Sequence, residues 1–160
     1  IRDRIFKNTI EQFTNKSKSE IYIFTEVHHG HYMSAKLMLR KNPFFGVGPK
    51  NFKIKCKEEQ YLHYRARCEI HPHNYYVQLF SELGFFGGIF LLLIFLVIFF
   101  KLFKIFIKID KEIDSTTILL IALFIFLWPI VPHGNFFNNW NIMLSLMTFS
   151  FYKHLSHKLR

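Results

Sequence analysis

Acid is scarce in this chain: eleven Asp and Glu stand against 21 Lys and Arg in 160 residues, a formal net charge of +10. Such a balance can mean nucleic acid, but the basic residues are not gathered into a recognisable binding module, so no nucleic-acid partner is expected. Near a membrane, basic residues meet anionic headgroups or a diphosphate instead. Cysteine is nearly missing too. Cys56 and Cys68 make no Cys-x-x-Cys pair, and no His-Glu-x-x-His helix accompanies the nine histidines. His28, His29, His31, His63, His71 and His73 therefore lack the spacing of a known metal site, and neither metal nor cofactor is expected. The dinucleotide fingerprint is also absent, and Gly46-Val-Gly48, which follows no clear strand, reads as a tight turn. There is no starting methionine, signal sequence or cleavage site, and the chain is expected to be the C-terminal part of a larger membrane protein.

What the chain has in excess is apolar surface, with 51% hydrophobic residues and 21 phenylalanines. Leu83 to Phe100 carries no charge and is long enough to cross a bilayer. Membrane spans are expected near residues 83–104, 115–132 and 136–152, the last interrupted by Asn138, Asn139 and Asn141. The fold class that follows is an all-α integral membrane protein. A helical periplasmic loop, residues 1–72, precedes a membrane region, residues 73–160, with about three transmembrane helices, a fragment of a larger polytopic bundle.

Ahead of the spans, residues 1–20 have the spacing of an amphipathic helix and Ile21 to Glu26 alternates weakly, as a short extended segment does. His28-His-Gly-His31 then leads into a helix from Tyr32 to Lys41, which Asn42-Pro43 ends. Lys101, Lys104, Lys108 and Lys111 lie between the first two spans, and Lys153, Lys158 and Arg160 follow the third, so both groups share one side. The stretch before the first span holds fourteen Lys and Arg against their combined seven, which opposes the positive-inside rule. That rule is weak for long translocated loops, and the long N-terminal segment is placed outside, partly on its cysteines, with the C-terminus cytoplasmic. On that side Cys56 and Cys68 form a disulfide worth roughly 3 kcal/mol in the chain-entropy model; on the cytosolic side they stay free thiols.

The stretch from His71 to Gly88 joins the halves. Pro72 stops what precedes it, Asn74 is a good N-cap for a helix from Tyr75, and Asn74, Gln78 and Glu82 fall on one helical face. A polar stripe at that depth faces protein or a water-filled cavity. Glu82 is read either as a solvated interfacial carboxylate or as the partner of a buried cation. The helix is expected to run on without interruption, with Gly84, Gly87 and Gly88 permitting close packing or local bending.

The pattern His73-Asn74, nine residues, then Gly84-Phe-Phe-Gly87 resembles the signature of the O-antigen ligase family, which includes O-antigen polymerases and protein O-oligosaccharyltransferases. Asn42-Pro-Phe-Phe-Gly-Val-Gly-Pro-Lys-Asn-Phe52 is similar to that family's loop upstream of the histidine, with Gly46 and Gly48 as its structural glycines. Cys56 and Cys68 lie between the two motifs, as in one ligase subgroup. The resemblance implies a multi-pass enzyme of the bacterial inner membrane. It would transfer a glycan from undecaprenyl diphosphate to the lipid A core or another hydroxyl at the periplasmic face, among membrane lipids and without a cofactor. His73 would be the general base and Asn74 would orient it, because imidazole takes up protons near neutral pH.

Family members place an essential arginine early in the periplasmic loop, whereas this chain has His28-His-Gly-His31 there and no arginine until Arg40. The candidates to hold the diphosphate are therefore His31, Arg67, Arg65 and Arg40, since a departing diphosphate needs cations close by. Two readings of another class stay open: a transporter or channel fragment whose basic loop binds anionic lipid, and a periplasmic metal-binding sensor.

Overall fold

The computed structural model describes residues 26–64, 66–107 and 113–158. The helix expected over residues 1–20 and the extended segment from Ile21 lie outside the described residues, apart from Glu26. The described residues form helices, turns and loops without a strand.

Helix α1, Glu26–Lys41, takes in the histidines that the sequence placed ahead of a helix at Tyr32. Asn42 closes it by donating its backbone N–H to Met38 O (2.9 Å) and its side-chain amide to Tyr61 Oη (2.9 Å). Pro43 has no N–H with which to continue. The short helix α2, Phe52–Lys55, follows the glycine loop. Cys68 is joined to Cys56 just after α2, with their Cα atoms 5.4 Å apart. Ala35, Met38, Phe52, Tyr61 and the two cysteines form a small buried core for this half.

Helix α3, Tyr75–Ile107, is not the uninterrupted helix expected from its apolar run, because Gly84 sits at φ 67° and ψ −159°. The two arms, residues 75–83 and 85–107, fold back on each other. The rings of Tyr76 and Phe95 are 6.4 Å apart, although nineteen residues of straight helix would separate them by about 28 Å. The Phe80 ring occupies the place where a side chain on Gly88 would lie.

The break exposes backbone groups that a continuous helix would satisfy, and the glycine loop takes them up. Val47 N donates to Ser81 O (3.0 Å), Gly48 N to Glu82 O (2.8 Å), and in return Phe85 N donates to Pro43 O (2.7 Å). Both contact points are glycines with left-handed φ, Gly46 at 64° and Gly84 at 67°. A β-carbon on Gly46 would strike the backbone of Glu82 and Leu83, and one on Gly84 the backbone of Pro43 and Phe44. Only a residue without a side chain fits either place.

Among the described residues α3 is the one helix long and apolar enough to cross a membrane. Its second arm alone measures about 34 Å against a hydrocarbon core of about 30 Å. The second expected span is helical only over Ser115–Phe126, helix α4, started by Asp114, whose carboxylate accepts from Thr117 N at 2.9 Å. It stops there because Pro129 and Pro132 cannot supply helical N–H groups, and the carbonyls just beyond it are claimed elsewhere. Leu127 O accepts from Tyr76 Oη (2.7 Å), and Pro129 O from the Asn74 side chain (2.7 Å). The third stretch is helical over Asn139–Lys158, helix α5, entered through Asn138, whose side chain accepts from Trp140 N at 3.0 Å. Leu79, Leu91, Phe95, Ile98, Leu120, Leu123 and Leu127 form the larger core between the folded α3 and α4.

Candidate active site

Asn74 starts α3 as its sequence setting predicts, its Oδ1 accepting the N–H of Tyr76 (3.0 Å) and of Val77 (3.1 Å). With its side-chain amide held by Pro129 O, it fixes the residue before it. His73 adopts φ 59°, a left-handed conformation that is uncommon outside glycine, and its carbonyl accepts from His133 N at 2.8 Å. The imidazole is thereby turned toward α1, and its side chain keeps 28% of its surface exposed.

Four imidazoles and one carboxylate gather there. The His73 ring lies 4.4 Å from that of His71, 5.2 Å from His28 and 5.7 Å from His31, measured between centroids. His28 and His31 are three residues apart on one face of α1, so both reach His73. Glu69 Oε2 is 2.7 Å from His73 Nε2. That hydrogen bond, with burial opposing it, holds the Glu69 carboxyl below its ordinary range. Burial lowers His28 and His71 below the usual histidine value and brings His31 to about 4, the nearby Glu69 charge only partly opposing it. His31 is fully buried, and neither of its ring nitrogens has a hydrogen-bond partner among the described residues.

His31 stands apart from the other candidate residues in its burial. Burial favours its neutral form, with a pKa brought to about 4, and its ring packs between His73 and the Phe52 ring. Arg40 lies nine residues further along α1, about 13 Å away, and is not brought to the cluster. Arg65 lies outside the described residues. Arg67 does reach the site: with Lys53, Lys57, Glu69 and His71 it lines a cleft of about 410 Å³. Neither Lys53 nor Lys57 stands out in the sequence; the signal that could have found them is their position four residues apart, just after the glycine loop. Glu69 stands four residues before His73, and His133 is brought in from 60 positions away. His133 stacks on Tyr75 at 4.2 Å between centroids, and burial lowers its pKa.

Glu82 is not solvated, and among the described residues no cation pairs with it. It is fully buried, and its carboxylate accepts the Phe52 N–H (2.7 Å) and the Gln78 side-chain amide (2.9 Å). Gln78 also donates to Asn135 Oδ1 (2.8 Å) and accepts from Phe136 N (2.9 Å). The expected stripe Asn74, Gln78 and Glu82 is buried against protein and ties the glycine loop, the first arm of α3 and the segment before α5 together. Gly48 has φ 96°, and Gly87 rests against the Leu83 side chain. Among the described residues no group of His, Cys, Asp and Glu is arranged to hold a metal ion.

The class so defined is an all-helical protein carrying a histidine cluster and a basic cleft beside a long apolar helix. Residues 31–92 match the model of the O-antigen ligase family, so the segment from His31 to the apolar arm of α3 is similar to that family, an integral membrane family of glycan-transferring enzymes. No curated protein and no solved structure matches the chain.

Proposed function

We propose that this chain forms the catalytic edge of a membrane glycosyltransferase that moves a glycan from undecaprenyl diphosphate to an acceptor hydroxyl, with His73 as the general base. The observation that carries the reading is the placement of a partly exposed His73, inside the family segment, next to a cleft lined by Lys53, Lys57 and Arg67. The acceptor oxygen attacks the anomeric carbon and its proton passes to the imidazole. The bond from that carbon to the diphosphate breaks, and its electron pair leaves with the lipid diphosphate. The three cations stand where that charge develops, and such stabilisation is usually a large part of catalysis. Asn74 orients the base by fixing the backbone on its C-terminal side.

The preferred reaction is ligation to the lipid A core at the periplasmic face of the inner membrane. The Cys56–Cys68 bridge supports the periplasmic placement, since bridges persist in oxidising compartments. On this reading residues 1–72 are periplasmic, α3 carries the chain inward and the C-terminus is cytoplasmic.

The test is His73→Ala in the full-length protein, with protein level followed beside lipid-linked glycan and lipopolysaccharide profiles. The expected result is loss of transfer at an unchanged protein level, with complete polymer left on the carrier lipid. Single repeats on the carrier would reassign the reaction to polymerisation. Near-normal transfer would sink the assignment of the base.

A further inference from the structure

Glu69 has no part in the family signature from His73 to Gly87, yet its carboxylate lies within ion-pair distance of His73. We infer that Glu69 is a positioning residue for His73, fixing the tautomer and the orientation of the imidazole and stabilising the imidazolium that forms during transfer. The inference rests on the reading of His73 as the base.

The geometry carries it. An ionised carboxylate only accepts hydrogen bonds, so the 2.7 Å contact between Glu69 Oε2 and His73 Nε2 places the ring proton on Nε2. Nδ1 then presents its lone pair, and it is Nδ1 that receives the acceptor's proton. Glu69 keeps its charge throughout, and the transferred proton stays on the imidazole until solvent or the departing diphosphate takes it. A base held by a carboxylate on its far nitrogen is the arrangement that general-base catalysis by histidine reuses on unrelated folds.

The remaining groups around His73 do not duplicate this. His28, His31 and His71 face it, and burial favours their neutral forms. Arg67 lines the cleft beside Glu69, and His133 meets His73 through backbone atoms. Glu69 is itself held in place by its neighbour, because Cys68 is bonded to Cys56 at the end of α2. The carboxylate is thus anchored to one element while the imidazole is anchored to another, the start of α3.

The experiment measures steady-state transfer by full-length protein in lipid nanodiscs, using an undecaprenyl diphosphate-linked glycan and a hydroxyl acceptor, for Glu69→Gln, Glu69→Asp, His73→Ala and the double variant. Glu69→Gln is expected to lower kcat at least about tenfold with KM for the lipid-linked donor within about twofold. Glu69→Asp should retain more activity than Glu69→Gln, and Glu69→Gln should add nothing in the His73→Ala background. A kcat for Glu69→Gln within twofold of the parent overturns the inference. An equal loss in both Glu69 variants with a lowered melting temperature also overturns it, as a structural role. If His73→Ala stays active, the base reading fails with it; an inactive His73→Ala beside a fully active Glu69→Gln removes the role of Glu69 alone.

Discussion

Replacing Glu82 by Gln removes one oxygen and one charge from a fully buried site, and the structure says what that costs. Both carboxylate oxygens meet donors: Oε1 the Phe52 N–H, Oε2 the Gln78 amide. A glutamine keeps one acceptor and turns an amide N–H toward a donor. Gln78 cannot flip to accommodate it, because its own oxygen already accepts from Phe136 N and its nitrogen also donates to Asn135. One hydrogen bond to a charged group is lost, about 1.5–3 kcal/mol, and no solvent screens the site. For a chain of this size that lowers Tm by about 3–12 °C, at about 2–4 °C per kcal/mol. Glu82→Ala leaves both donors unsatisfied and opens a cavity, so it should fall further. The assay is thermal unfolding of full-length protein in nanodiscs at neutral pH. A Glu82→Gln variant melting within a degree of the parent, or an alanine variant milder than the glutamine one, would refute the reasoning.

The histidine cluster predicts acid sensitivity. His28, His31 and His71 have folded pKa values below their ordinary 6.5, His31 at about 4, so between those values the unfolded chain binds more protons. Their contribution to stability is complete above pH 6.5 and lost as pH falls toward 4. Glu69, lowered from 4.5, acts in the same direction only below that value. Melting temperature should therefore drop between pH 7 and pH 5, less so in His31→Phe; a flat or rising profile contradicts this. Reduction of Cys56–Cys68, or Cys56→Ser with Cys68→Ser, should release roughly 3 kcal/mol of loop constraint, seen as faster proteolysis between residues 57 and 67, while unchanged cleavage would count against it. Lys53→Ala with Lys57→Ala should raise KM for the lipid-linked donor several-fold with protein level unchanged; a KM at the parent value would remove these lysines from the cleft's role.

What the sequence disclosed and what it withheld follow the range of the forces involved. Asn74 was legible as a cap because the N–H groups it takes lie two and three residues away. The stripe Asn74, Gln78 and Glu82 was legible from helical spacing. Its partners were not: Phe52, Asn135 and Phe136 are between 30 and 58 positions distant, and no local pattern encodes them. The apolar count over residues 115–132 overlooked that Pro129 and Pro132 end a helix however hydrophobic their neighbours. Lys53 and Lys57 were hidden among other lysines until the bridge and the loop brought them beside Arg67 and Glu69. The fold-back at Gly84 could be anticipated only as permission to bend. A glycine allows the turn, but its direction is set by the loop that docks there.

That fold-back makes the first arm of α3 a lever with its pivot at Gly84 and His73, the proposed base, at its tip. Nine residues of helix give it a length of about 13.5 Å, so a swing of 10° at the pivot moves its tip by about 2.4 Å. A misplacement of about 1 Å can cost a hundredfold in rate. The clamp of Val47, Gly48 and Pro43 on the pivot, with Glu82 two residues before it, therefore sets an angular tolerance. On the proposed role of His73, conservative changes in that loop should be felt as lost rate at a residue they never touch.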